Sequence, residues 1–302
     1  MSVTSSTQCP FCQNESSPVF SKDSIPILEC SCCRHRFACT SSQVDERVAV
    51  EFDDGYFFGG QSCYDDYSTM ANYLNRKGVW YSKLLKRNLS ANNKTGESAE
   101  SPMRILDVGC AAGYLLKGFI DQGWQGTGIE ANQSMAKYGK EQLGLDVQHT
   151  TIENFRSSTK YDAVTMVQVI SHLIDPVSSI DSIYQQLNDD GLLLIETWNC
   201  RSLTAKALKT HWHQYNPPSV LHWFSRASLS DLLDQHGFQV IQQGRPVKWI
   251  SMGNGAAIFR KMMGNTTLMK VLSSPSMLVP SWLKVPYFLD DVFWVLAKKR
   301  TS

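Results

Sequence analysis

Two closely spaced cysteine pairs near the amino terminus have the spacing of a metal site. They are Cys9-Pro-Phe-Cys12 and Cys30-Ser-Cys-Cys33, with 17 residues between them. Two tight turns of this kind can present four thiolates to one tetrahedral ion, and such a site keeps no open position for catalysis. We therefore predict a structural zinc held by Cys9, Cys12, Cys30 and Cys33. The fourth ligand stays open, because Cys32 and His35 are alternatives to Cys33.

A glycine-containing turn and an acidic residue lie about 20 residues apart in the middle of the chain. Gly109-Cys-Ala-Ala-Gly113 follows an apolar stretch and precedes an apolar helix predicted over 114–122. A helix that begins at such a turn exposes its first N–H groups and lets a ligand approach the backbone closely. The second strand, Gly126-Thr-Gly-Ile-Glu130, ends in a carboxylate that can accept hydrogen bonds from both hydroxyls of a ribose. The turn lacks G-x-G-x-x-G, which weakens the case for a nicotinamide or flavin cofactor.

The elements that must position these residues alternate between apolar strands and amphipathic helices from Met103 onwards. Asp175 and Pro176 have the residue types of a helix N-cap and first turn, and Ser225 is predicted to cap a helix that ends at His236-Gly237. Asn188-Asp-Asp-Gly191 is predicted to be a turn. The strands are predicted over 104–108, 126–130, 147–151, 161–169, 192–197, 238–243 and 291–298. This alternation predicts an α/β domain.

The motifs as a set resemble the class I S-adenosylmethionine-dependent methyltransferases over roughly residues 103–243. DVGCAAG resembles their glycine motif, GIEAN their acidic motif, and YDAVTMVQVISHLIDP and NDDGLLLIETWN their later motifs. The branch that they resemble contains ubiquinone-type O-methyltransferases and enzymes that modify sugars and small metabolites. The resemblance implies a Rossmann-like, doubly wound, mostly parallel seven-stranded sheet. It also implies S-adenosylmethionine as the cofactor, and an amino-terminal zinc ribbon with a GYF segment occurs in this branch.

The resemblance assigns roles to individual residues of the predicted cofactor site. Asp107, Gly109 and Gly113 would shape the pocket for the methionine end, and Glu130 would hold the ribose. Thr151 and Ile152 would line the adenine, and Gln168 would form the floor near the sulfonium. Two residues depart from the family pattern. Ala111 replaces a glycine of the turn, and Ser171 precedes His172 where the family often has glutamate, which puts an acidic or metal role there in doubt.

A hydroxyl acceptor must lose its proton during methyl transfer, and a histidine with a pKa near 7 suits that task. His172 follows the fourth strand at the edge where ligands bind in α/β proteins, and His222 lies in a loop before a helix. We predict that one of these two histidines is the catalytic base. The alternative is that both only hydrogen-bond loop backbone. His211 and His213 are predicted to lie in a surface loop.

Composition and charge restrict the class of protein. Of the 302 residues 42% are hydrophobic and 19% are charged, so the chain is not of the disordered class. No apolar run approaches the ~18–20 residues of a membrane span, and the first residues do not resemble a signal peptide. Nine cysteines without such a signal favour a reducing compartment, and we expect the cytoplasm. The net charge of +1 makes nucleic acid an unfavoured partner.

Three regions are predicted: a zinc ribbon over 1–40, a loop and amphipathic helix over 41–100, and a methyltransferase domain over 101–302. In the second region the loop is predicted at 51–67 and the helix over 68–89, and a polar linker is predicted over 90–102. A lid-like insertion is expected at about 246–288. Residues 241–302 contain nine Lys and Arg and only two Asp and Glu. The alternative to a lid is that 246–288 forms a basic and apolar surface for an anionic lipid or a lipid-linked substrate.

The predicted activity is methyl transfer to a small-molecule acceptor, with O-methylation of a sugar or secondary metabolite favoured. Carbon and nitrogen acceptors, the pathway and the oligomeric state stay open. An RNA base methyltransferase is one alternative function, which the acidic balance of residues 1–240 disfavours. A scaffold that keeps the fold without catalysis is another, which the intact Gly109, Gly113 and Glu130 disfavour.

Overall fold

The protein was analysed as a computed structural model that describes residues 7–39, 70–92, 101–246, 249–251, 284–286 and 290–301. The predicted loop at 51–67, residues 93–100 of the predicted linker and most of the predicted insertion at 246–288 lie outside these residues. The boundaries of the three predicted regions stay a prediction.

The amino-terminal part is a small antiparallel sheet followed by a long helix. The strands are β1 (Ser16–Lys22), β2 (Ile25–Cys30) and β3 (Arg36–Ala38), and the helix is α1 (Ala71–Asn92). The helix was predicted over 68–89, so it begins and ends three residues later than the apolar spacing suggested.

Strands and helices then alternate as predicted. The central elements are β4 (Arg104–Val108), α2 (Tyr114–Ile120), β5 (Gln125–Glu130), α3 (Gln133–Leu143), β6 (Asp146–His149), β7 (Tyr161–Val167), α4 (Pro176–Gln186) and β8 (Leu187–Trp198). The remaining elements are α5 (Leu203–Leu208), β9 (His222–Trp223), α6 (Arg226–Gln235), β10 (Phe238–Gly244), β11 (Trp249–Ser251), β12 (Lys284–Pro286) and β13 (Val292–Lys299). Short 3-10 turns occupy Ile170–His172 and Lys209–His211.

The large sheet has seven strands in the order β10-β13-β8-β7-β4-β5-β6. Neighbours from β8 to β6 pair in parallel, whereas β13 is antiparallel to both β8 and β10. The Rossmann-like, mostly parallel fold is therefore confirmed. Residues 191–197 of β8 are continuously buried, as expected of a central strand with both faces covered.

Local capping explains where two helices begin. The side chain of Asp175 accepts a hydrogen bond from the backbone N–H of Ser178 at 3.0 Å, and Pro176 opens α4. Ser225 caps α6 and exchanges hydrogen bonds with Ser228 in a capping box. Both helix starts were predicted from residue type, because an N-cap depends on neighbours within three or four residues.

The prediction of a turn at 188–191 was wrong. These residues lie inside β8, where the pairing with β7 jumps from Tyr161–Leu187 to Ala163–Leu192. The Asn188 side chain donates to Asp162 Oδ1 at 2.8 Å, and Asp190 has a left-handed φ of 61°. Residues 188–190 therefore form an irregularity within β8 that is still hydrogen-bonded to β7.

Strand β9 joins the amino-terminal sheet to the rest of the chain. Arg36 and Phe37 of β3 pair with Trp223 and His222, which completes a four-stranded sheet in the order β1-β2-β3-β9. Residue 222 was predicted to lie in a loop, because a strand of two residues has no detectable periodicity. We refer to residues 7–39 as the ribbon and to the remaining described residues as the core.

Helix α1 packs very closely on α2. A Cβ atom on Gly78 would lie 2.1 Å from the backbone oxygen of Leu115, so only glycine allows this approach. Within the described part of the chain, no helix has the length and apolar character needed to cross a membrane.

Candidate functional site

The glycine turn after β4 has an unusual backbone. Gly109 and Gly113 have φ angles of 66° and 85°, and Ala111 between them has a φ of 48°. Backbone N–H groups of Gly109 and Cys110 both donate to the oxygen of Ile129, so the turn lies against the end of β5. The left-handed angles at the two glycines explain why glycine occupies these positions.

Glu130 closes this turn from the end of β5. Its Oε2 accepts the backbone N–H of Ala111 at 2.8 Å, and its Oε1 accepts that of Asn132 at 2.8 Å. Burial raises the pKa of Glu130, against the opposing effect of these N–H groups. Each carboxylate oxygen has a second lone pair, so the group can still accept hydrogen bonds from a ligand hydroxyl.

Thr151 and Ile152 follow β6 at the edge of the sheet where β5 ends in Glu130. The backbone N–H of Thr150 donates to the oxygen of Glu130 at 3.0 Å, which fixes the start of this segment. Thr151 is exposed, whereas Ile152 is buried in the main core. The structure thus brings the segment predicted to line an adenine next to the predicted ribose-binding residue.

Two buried acceptor atoms on β4 and just after β7 lack a hydrogen-bond partner among the described residues. Asp107 Oδ1 accepts the Thr165 hydroxyl at 2.7 Å, while Asp107 Oδ2 is one of the two atoms. The other is Gln168 Oε1, on a side chain whose Nε2 donates to Glu196 Oε1 at 2.9 Å. Burial raises the pKa of Asp107 to about 7. Buried acceptors of this kind are normally satisfied, so a donor or cation from a ligand is the expected partner.

His172 lies in the 3-10 turn that follows β7, and its Nδ1 contacts the backbone oxygen of Ser219. This contact requires the proton on Nδ1, which leaves the lone pair on Nε2. Burial lowers the pKa of His172, against the opposing effect of the Ser219 carbonyl. The residue as a whole, backbone included, is half-buried.

His222 has different surroundings, because it lies between the ribbon and the core. Its Nδ1 is 3.1 Å from Nε2 of His35, and its ring stacks with Phe11 at 5.8 Å between centroids. Burial lowers the pKa of His222 to about 4. His211 is exposed as predicted, whereas His213 is partly buried and packs edge-on against Trp198 at 5.2 Å.

The four predicted zinc ligands lie close together in the ribbon. The Sγ atoms of Cys9, Cys12, Cys30 and Cys33 are all within 4.8 Å of one another. Contacts of 3.4–3.6 Å between them are too long for disulfides, and tetrahedral ligands at ~2.3 Å from one zinc lie about 3.8 Å apart. Of the two alternative ligands, Cys32 is exposed and His35 faces His222. The donor set therefore fits a tetrahedral zinc.

The sequence interpretation missed three residues beside Gln168. Lys77 and Tyr81 of α1 both contact the carboxylate of Glu196 on β8, and all three side chains are almost completely buried. The available signal was one charged residue, Glu196, in the otherwise apolar segment LLLIET of a central strand.

The amino-acid sequence is similar to a known protein family and to curated proteins of several bacteria. The profile of the family described as a methyltransferase domain matches residues 79–243. The ubiquinone biosynthesis O-methyltransferase of Haemophilus ducreyi is 30% identical over 153 residues, which cover 42% of this chain and 64% of that protein. The protein of the same name from Pasteurella multocida is 29% identical over 180 residues, covering 49% and 71%. This chain thus spans less than two thirds of the Haemophilus relative.

Among solved structures, the magnesium protoporphyrin IX methyltransferase of Synechocystis PCC 6803 with bound SAH has a similar fold. Its TM-score is 0.53 at 12% identity, and the match covers 85% of this chain and all of that chain. At this level of identity the comparison concerns the fold alone.

Proposed function

The chain belongs to the methyltransferase domain family, and on that premise we propose that it transfers a methyl group from S-adenosylmethionine to a small-molecule hydroxyl. The curated relatives are named O-methyltransferases, which supports oxygen as the acceptor atom. We place the acceptor among sugars and secondary metabolites, including molecules with quinone-like hydroxyls.

The observation that carries this proposal is the pair of buried acceptors, Asp107 Oδ2 and Gln168 Oε1, that lack described partners. The methionine end of S-adenosylmethionine carries an ammonium and a sulfonium, so it offers the positive charge that such acceptors need. Glu130 lies where a ribose can be held, and Thr151 with Ile152 lies beside it. The residues present therefore fit the cofactor.

When bound, S-adenosylmethionine supplies an electrophilic methyl group, and the protein supplies alignment and proton removal. His172 is the better candidate for the base, because the Ser219 oxygen holds its ring through Nδ1 in the 3-10 turn that follows β7. His222 stays the alternative, although its buried position between ribbon and core favours a structural role. We further propose that the four ribbon cysteines hold a structural zinc.

A binding experiment with S-adenosylhomocysteine (SAH) tests the cofactor assignment. We expect titration calorimetry to detect binding to the wild type, and saturation at 100-fold over the Kd to stabilise the fold by about 2.7 kcal/mol. Glu130→Ala should lose this stabilisation, because the variant lacks the carboxylate assigned to the ribose. Glu141→Ala is the matched control, since Glu141 is an exposed glutamate on α3.

The outcomes separate the proposed enzyme from its alternatives. Binding by the wild type and Glu141→Ala but not by Glu130→Ala supports the proposal. A folded wild type that gives neither heat nor a melting shift with SAH would overturn it in favour of a scaffold. Methyl transfer to RNA, and not to small hydroxylated metabolites, would overturn the acceptor class.

A further inference from the structure

A buried cluster of polar side chains connects α1 to the ends of β7 and β8. Glu196 is its centre: Oε1 accepts from Lys77 Nζ at 2.6 Å and from Gln168 Nε2 at 2.9 Å, and Oε2 accepts the Tyr81 hydroxyl. Glu196 is 1% exposed and the Lys77 side chain 8%. Three donors thus satisfy one carboxylate out of contact with water.

Helix α1 supplies two of these three donors, Lys77 and Tyr81. Tyr73, Lys77 and Tyr81 follow one another at intervals of four residues, which places them on one face of α1. Gly78, next to Lys77 in the sequence, holds this part of the helix against α2, because a Cβ atom there would lie 2.1 Å from the backbone oxygen of Leu115. Lys77 also lies 5.3 Å from the centre of the Tyr73 ring. The position of the cluster is therefore set by packing of the whole helix.

Glu196 is ionised in this environment. Burial by itself raises the pKa of Glu196, but the charge of Lys77 and the hydrogen bonds from Lys77, Tyr81 and Gln168 outweigh it, and the pKa lies below its ordinary value. The same pairing holds the pKa of Lys77 above its ordinary value in spite of burial. An ionised carboxylate only accepts hydrogen bonds.

This charge state determines how the Gln168 amide is oriented. A side-chain amide can exchange its oxygen and nitrogen by rotation, but only the NH2 group can face an ionised Glu196. Its Oε1 must then point away from Glu196, where it has no partner among the described residues. The backbone of Gln168 has a left-handed φ of 62°, and its backbone N–H donates to the backbone oxygen of Glu196 at 2.8 Å. Such a backbone persists only where the surroundings enforce it.

We propose that Glu196, held by Lys77 and Tyr81, is a positioning residue that turns the Gln168 carbonyl oxygen towards the positively charged centre of the cofactor. This inference rests on the proposed function. In a buried site, an amide oxygen preoriented in this way favours a cationic ligand over its neutral analogue. Gln168 then distinguishes the methyl-bearing sulfonium from the neutral thioether that remains after transfer.

Two cofactor analogues test this role without a methyl acceptor. SAH has a neutral sulfur, whereas sinefungin has an ammonium group in place of the methylated sulfonium. The measurement is the ratio of the two Kd values by titration calorimetry. Gln168→Met should weaken sinefungin binding about tenfold or more and leave SAH within about twofold, because a hydrogen bond to a charged group is lost.

A double variant tests the positioning role of Glu196. In Lys77→Met with Glu196→Gln, two neutral side chains of similar size replace the buried ion pair, so neither charge is left buried without its partner. Residue 196 then offers both a donor and an acceptor, so the Gln168 amide loses its single orientation. We expect the same selective loss of sinefungin binding. Lys86→Met, on the same helix but bonded to the Gln122 oxygen, is the matched control.

The results distinguish this inference from the proposed function. If folded wild type binds neither analogue, the proposed function fails. If it binds both and the Kd ratio is unchanged in Gln168→Met, the role of Gln168 is wrong. The positioning role of Glu196 is overturned if Gln168→Met changes the Kd ratio but the folded double variant does not. It is also overturned if the folded double variant loses affinity for both ligands equally. If the double variant does not fold, Lys77→Met alone decides by the same ratio.

Discussion

The two candidate bases differ in what holds each imidazole ring. His172 is anchored through Nδ1 by the Ser219 carbonyl and is partly exposed, whereas His222 is enclosed between ribbon and core. We expect His172→Ala to lower kcat by roughly 10²–10⁴ with an unchanged Kd for SAH. His222→Ala should instead lower the melting temperature, because it removes buried contacts with His35 and Phe11.

An asparagine at position 172 is the control for this prediction. Its side-chain NH2 group can keep the contact with the Ser219 oxygen, but it cannot accept a proton. His172→Asn should therefore melt like the wild type and be as slow as His172→Ala in the methyl-transfer assay. A near-normal kcat in both variants would exclude His172 as the base.

Asp107 gives the fold a pH dependence with a definite sign. Its pKa is about 7 in the folded protein and 3.8 in an ordinary environment, so between these values the folded state binds more protons than the unfolded state. The contribution of Asp107 to stability is fully present below the lower pKa and is lost as the pH rises towards 7. In urea titrations, the free energy of unfolding of the wild type should fall from pH 4 to 8 relative to Asp107→Asn.

The Asp107→Asn variant suits this comparison because an asparagine oxygen still accepts the Thr165 hydroxyl. Other groups titrate equally in both proteins and cancel in the difference. The expected difference is on the order of a few kcal/mol across this range. If the free energies of unfolding of the two proteins change in parallel with pH, the pKa of Asp107 in the folded protein lies near its ordinary value and the prediction is wrong.

At the scale of elements, the sequence predicted whatever depends on near neighbours. Strand β4 was predicted with the observed bounds, 104–108, because a short apolar run before a glycine turn is a local signal. The N-caps Asp175 and Ser225 were predicted for the same reason. The glycine turn and Glu130 came from spacing along the chain, and the structure brings them into contact through Ala111.

Elements and site residues that depend on distant pairing could not be predicted from local patterns. Strand β9 has only two residues, and it is a strand because residues 36–37 pair with it from the other end of the chain. The partners Lys77 and Glu196 are 119 residues apart in sequence. Nothing local to α1 distinguishes Lys77 from its other lysines, so the fold was needed to identify it.

The whole molecule combines ribbon and core in one folded unit. Besides the β3–β9 pairing, Glu29 of the ribbon accepts from Arg36 at 2.6 Å and from Arg201 of the core at 2.7 Å. These two guanidinium groups outweigh the effect of burial and hold the pKa of Glu29 below its ordinary value. Arg36 in turn donates to the hydroxyl of Tyr215. Loss of the ribbon fold would therefore remove contacts on which β9 and its loop depend.

Zinc removal should consequently destabilise the whole chain, and two adjacent cysteines provide a matched pair. Cys33→Ser removes a proposed ligand, whereas Cys32→Ser changes an exposed thiol one residue away. We expect one zinc per chain in the wild type and in Cys32→Ser by elemental analysis. Cys33→Ser should lose the metal and melt several degrees lower, because zinc binding contributes directly to folding.

Calorimetry of the same proteins shows whether ribbon and core unfold together. Since they share a sheet and the Glu29–Arg201 ion pair, Cys33→Ser and chelator-treated wild type should each melt in a single transition below that of the loaded protein. A separate low-temperature transition with an unchanged main transition would mean that the ribbon unfolds independently. Loss of zinc from Cys32→Ser and not from Cys33→Ser would transfer the fourth ligand to Cys32. A wild type purified with zinc available that contains none would refute the metal site.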